Sequence, residues 1–177
     1  QPDPVNSVEV VDRGHIDGAS LSGDGDGAYA RLVGALAMPG AGGAVREWAL
    51  TLAGEIAARR ADFAAAERHF VAALRLDPRD PYLKAAYADF LLDRGRPRDV
   101  VSLLRDDARN DALLLRLALA EQAMPDAREA FAAHRADLAA RFDAARRRGD
   151  SAHRREEARF RLAIEHDARH ALALAQA

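Results

Sequence analysis

Residues 47–78 read EWALTLAGEIAARRADFAAAERHFVAALRLDP. Two amphipathic helical patterns meet at Ala61-Asp62, and the second stops at Asp77-Pro78, where proline cannot continue a helix. Small residues (Ala53, Gly54, Ala57, Ala66, Ala73) interleave with larger apolar ones (Trp48, Leu50, Phe70, Leu74), as two helices packing closely side by side require. The stretch reads as one helix-turn-helix unit, with helices over 44–60 and 62–76.

The chain repeats it downstream. Gly95-Arg96 stands 34 residues after Ala61-Asp62, and Val100 and Leu104 follow where Ala66 and Phe70 stood. That period, with small, aromatic and proline residues at these offsets, resembles the tetratricopeptide repeat. The resemblance implies an all-α fold, a right-handed superhelix (α-solenoid) of about four to five antiparallel helix pairs. The first helix of each pair would line a concave groove for a peptide or protein segment, whose identity the resemblance does not supply.

Composition agrees with close-packed helices: 49% of the 177 residues are apolar but only 6% aromatic, so the core is built mainly from Ala, Leu and Val. With 26 basic and 28 acidic residues the net charge is −2. This is too balanced for a dedicated nucleic-acid binder or a polybasic membrane protein. The charge is unevenly spread, however, with acids prevailing over 1–45 and arginines over 146–161. Cysteine is absent, which fits a reducing cytoplasm or an exported protein and leaves the compartment open. No apolar run approaches the ~18 residues that span a bilayer. A single lysine among the basic residues, beside abundant alanine, suggests coding in a GC-rich bacterial genome. A chain that opens on Gln1 reads as a processed product or an excised piece, and ALALAQA over 171–177 is not a polar cap, so the native protein is expected to continue or to pack there on another chain.

Residues 1–22 fall outside the repeat pattern; Val5, Val8, Val10 and Val11 favour a strand or a poor helix, and resemblance to a repeat's first helix tips the balance to helix. Units are expected at 23–43, 44–80, 81–110, 111–149 and 151–177. Residues 24–37 form a helix with Ala28, Leu32, Ala35 and Leu36 buried, and 38–43 a Gly-rich connector. Asp80 caps the next pair with Pro81 at the first helical position. Helices follow at 81–94, 97–107 and 111–123. One long helix spans 126–148 up to Gly149-Asp150, another spans 151–165 with Ser151 as N-cap, and a last one spans 168–177.

Catalytic and metal chemistry find little support. His166 and His170 are four apart, but Asp167 reads as an N-cap that leaves His166 outside the helix; His153 with Glu156 and Glu157 lacks a matching helix. Gly23 to Gly27 lacks the later oxygen ligands of a calcium loop, and no serine sits in a nucleophile context. No catalytic residue, metal or cofactor is therefore assigned. The arginines at 146–148, 154, 155, 159 and 161 could attract phosphate or an acidic peptide, but Asp150, Glu156 and Glu157 dilute them and only Phe160 offers stacking.

The family geometry places Trp48, Thr51, Glu55 and Arg59 on the groove, then Tyr82, Ala85, Ala86, Asp89 and Asp93, then Ala112, Leu115, Arg116 and Leu119. Trp48 either anchors a partner or caps the hydrophobic seam beneath the connector. Chaperone-tail clamps of this family use Lys, Asn and Arg on this surface, whereas the corresponding positions here are Thr51, Glu55, Ala86 and Ala112, with only Arg116 basic, so such a clamp is not expected. Glu55, Asp89 and Asp93 point to a basic or mixed partner with apolar anchors. The expected role is a non-catalytic interaction scaffold. The alternatives are a subunit that self-associates or docks through its C-terminal helix and basic end, and the regulatory part of a longer protein.

Overall fold

A computed structural model describes residues 25–37 and 42–176. The expectations for 1–22, for Gly23 and Asp24, for the connector at 38–41 and for Ala177 lie outside the described residues. Those described contain nine α-helices and no strand: α1 (Gly25–Ala37), α2 (Gly43–Arg59), α3 (Phe63–Leu76), α4 (Pro81–Asp93), α5 (Pro97–Leu104), α6 (Asp111–Gln122), α7 (Arg128–Arg147), α8 (Arg154–Ala163) and α9 (Ala168–Ala175). The chain divides into two compact units, residues 1–87 and 88–177.

Three helices end in the same way. After α2, Asp62 N–H bonds Ala57 O at 2.9 Å and Ala61 N–H bonds Ala58 O at 3.0 Å. Arg96 to Leu91 with Gly95 to Leu92, and Asp150 to Ala145 with Gly149 to Arg146, repeat the pattern after α4 and α7. This is the Schellman closure, which requires a left-handed residue after the helix. Gly95 and Gly149 supply it at φ 66° and 71°, but after α2 the residue is Ala61, at φ 60°. An L-residue there costs roughly 1–2 kcal/mol, and the exposed Ala61 methyl offers little packing in return. Ala61→Gly is therefore expected to stabilise the protein by about 0.5–1 kcal/mol after glycine's larger chain entropy is deducted. An unchanged or lower urea midpoint would contradict this.

Side-chain caps restart the chain after its turns. Asp62 Oδ1 accepts from Ala65 N at 3.0 Å, Asp80 Oδ1 from Leu83 N at 2.7 Å, Asn110 Oδ1 from Ala112 N at 3.0 Å, and Asp167 Oδ1 from His170 N at 3.0 Å. The expected cap at Ser151 is not observed: α8 starts three residues later, after His153, because Asp150 Oδ1 takes the Ala152 N–H at 2.9 Å and forms a local turn. The single helix expected over 126–148 is also corrected. Pro125–Ala127 forms a separate 3-10 turn before α7. The helix expected over 97–107 ends at Leu104, with Arg105 as its C-cap.

In the first unit, α2 packs on α1 and α3. Ala28 and Leu32 of α1 join Ala49, Leu52, Ala53 and Ile56 of α2 in one buried cluster, against which Tyr29, Leu36 and Trp48 pack. Tyr29 Oη lies 2.9 Å from His69 Nε2 on α3. Arg60 covers the Tyr29 ring at 4.6 Å and pairs with Asp26 at 2.6 Å. Burial holds the His69 imidazole below its ordinary pKa, Arg68 adds to the depression and Asp62 opposes it. In the second unit, α6 packs on α5, α7 and α8, and α8 on α9. Its buried apolar residues include Phe90 and Leu91, Val100 and Leu104, four leucines of α6, and Leu138, Phe142, Phe160 and Ile164.

Candidate partner-binding surface

The ten candidates fall in both units. In the first, Trp48 is half-buried, Tyr82 is 56% exposed, Glu55 and Ala86 are half-buried and Arg59 is exposed. Thr51 is fully buried. Its hydroxyl lies 3.1 Å from Glu47 O and 2.9 Å from Glu47 Oε1, which satisfies the group within its own helix and removes it from contact with a partner. Tyr82 Oη donates to Glu55 Oε2 at 2.9 Å, so a carboxylate of α2 holds the exposed ring in place.

Trp48 and Tyr82 line one open cleft of about 690 Å³. Gly43, Ala44 and Leu76 complete its apolar wall, and Glu47, Asp77 and Asp80 bring three carboxylates to it. Glu47 is nine-tenths buried. That burial raises its pKa above the ordinary carboxylate value; the Thr51 hydrogen bond opposes the rise, and the charges of Asp80 and Asp77 add to it. Glu47, Leu76, Asp77 and Asp80 did not stand out as binding residues in the sequence. Asp77 and Asp80 carried the signals of a helix stop and a helix cap, and those signals hide any second role.

In the second unit the acids expected to meet a basic partner are partly committed. Arg116 Nε and Nη2 donate to Asp89 Oδ2 at 3.0 and 2.6 Å. Arg159 Nη2 lies 2.7 Å from Asp89 Oδ1, an ion pair without hydrogen-bond alignment. Asp93 is exposed and Leu119 half-buried.

The basic end is similarly engaged. Arg161 pairs with Glu157 at 3.2 Å and with Glu165 at 3.5 Å, Arg135 pairs with Glu165 at 2.9 Å, and Arg146 pairs with Asp143 and, at 3.4 Å, with Glu157. Arg147, Arg148, Arg154 and Arg155 are exposed. His166 precedes the Asp167 cap at φ 58°, outside α9. Among the described residues no group of three or more His, Asp or Glu side chains is arranged to hold a metal ion. No helix among them is long and apolar enough to cross a membrane.

The chain matches no family model, and no curated protein or solved structure matches it.

Proposed function

We propose that this chain is a non-catalytic protein–protein interaction scaffold that binds a peptide or protein segment along the groove of a tetratricopeptide-like solenoid. The observation that carries this reading is the cleft in which Trp48 and Tyr82 stand together, an amphipathic aromatic pair of the kind that anchors interfaces. The 34-residue spacing of the two turns, each closed by the same pair of backbone bonds, supports a repeated unit.

Selection from a random linear peptide library on the immobilised protein tests it. Because Trp48 also packs on the α1–α2 cluster, its truncation would mix binding with stability, and Tyr82 is the cleaner probe. Tyr82→Ala is expected to weaken selected peptides by at least about tenfold, as hot-spot aromatics do, while the melting midpoint stays close to wild type. Binding that ignores the substitution would refute the reading.

A specific observation favours a second reading, in which the chain self-associates through its C-terminal helices. Leu162 and Leu172 are 56% and 59% exposed. Leu172→Glu would then abolish a concentration-dependent mass in light scattering, and a strict monomer at high concentration would count against it.

A further inference from the structure

We propose that the cleft between Trp48 and Tyr82 is a subsite for an arginine side chain of the bound segment; this deepens, and rests on, the interaction reading above. The cleft's walls are aromatic and apolar, and its charged groups are all carboxylates. A guanidinium is a flat cation that stacks on ring faces and forks its N–H donors onto carboxylates, so it matches both surfaces at once.

Each of the three carboxylates is engaged by a local donor at one oxygen. Thr51 Oγ1 meets Glu47 Oε1, Arg79 N–H donates to Asp77 Oδ1 at 2.8 Å, and Leu83 N–H donates to Asp80 Oδ1. These bonds orient the side chains and leave the second oxygen of each to another donor. Arg46, next to Glu47, donates to Leu36 O at 2.9 Å, and Arg79, next to Asp80, meets Asp77 through its backbone; neither is among the residues lining the cleft. Glu47 sits nine-tenths buried beside two like charges. A cation in the cleft would offset that repulsion, whereas an anion would add to it. The Tyr82–Glu55 bond fixes the ring that would cover the guanidinium.

Trp48 is the chain's single tryptophan, so its emission reports directly on this cleft. Titration with N-acetyl-arginine amide is expected to give a saturable change. The neutral isostere N-acetyl-citrulline amide should bind at least about tenfold more weakly, since a charge-assisted bond is lost. The Glu47→Gln/Asp80→Asn variant should also lose about tenfold or more. Both substitutions are isosteric: glutamine still accepts from Thr51 and asparagine still caps α4, so a melting curve near wild type certifies the fold, and Asp80→Asn alone serves if the pair does not fold.

Equal responses to arginine and citrulline would overturn the proposal. So would indifference to the charge-removing variants, or N-acetyl-lysine amide binding as tightly as arginine. If arginine and citrulline respond alike while library peptides still depend on Tyr82, the subsite falls and the interaction reading stands. If arginine binds selectively but no peptide is captured, the interaction reading falls and only the cleft's selectivity for a guanidinium remains.

Discussion

Gly54→Val is expected to destabilise the first unit by about 3 kcal/mol, through overpacking at the α2–α3 contact. A Cβ at Gly54 would lie 2.9 Å from Phe70 Cε1 and 3.0 Å from both Cδ1 and Cζ. Such distances demand that the ring move. Phe70 is 1% exposed and stacked on Tyr87 with ring centres 5.3 Å apart, so it has no space into which to retreat. Two effects compete for the smaller change, Gly54→Ala. Removing glycine from a helix interior gains about 1 kcal/mol, while forcing a methyl into a filled core costs about 1–3 kcal/mol. Overpacking wins because the obstacle is a packed ring rather than a flexible tip, and valine adds two further methyl groups that must meet the same wall. Chemical denaturation of Gly54→Ala in wild-type and Phe70→Leu backgrounds isolates the contact. The alanine penalty should shrink or reverse sign when the ring is gone, and equal penalties in both backgrounds would sink the explanation.

Phe142→Ala is expected to cost about 3–5 kcal/mol, the range for deleting a fully buried aromatic side chain. Helix α7 has 20 residues, yet only Leu138, Phe142 and Ala145 are buried. Phe142 contributes most of that anchored volume, packing against Phe160 of α8 with ring centres 5.4 Å apart. Neither ring is exposed. The loss should appear in urea denaturation and as faster amide exchange in α7 and α8. Arg147→Ala, on the exposed side of the same helix, should change stability by no more than about 0.5 kcal/mol. A Phe142 variant as stable as that control would show that α7 is held by other contacts.

Local regularities were legible in the sequence. Small residues at Ala53, Gly54 and Ala57 announced a close helix contact, and Gly54 now meets the Phe70 ring. The turn at Ala61 was placed by its match to Gly95 even though alanine is a poor left-handed residue. What periodicity could not reveal depended on particular partners. Thr51 stands where the repeat resemblance led one to expect a ligand-facing residue, but its hydroxyl is satisfied by Glu47 one turn earlier, which makes burial inexpensive. Asp89 looked available to a basic partner. Its arginines lie 27 and 70 positions away in the chain, too far for any helical pattern to pair them. The start of α8 turned on whether Asp150 or Ser151 would capture a nearby N–H, a competition between two good turn formers that composition does not decide.

Most helices pack on a helix adjacent in the chain: α1 on α2, α2 on α3, α5 on α6, α6 on α7 and α8 on α9. Closing such contacts requires only a short loop to form, with little search through distant segments. Proteins dominated by local contacts of this kind fold within about microseconds to milliseconds. Each nascent helix pair can thus begin to bury its apolar seam soon after both of its helices exist, without waiting for a remote strand or a chain terminus to arrive.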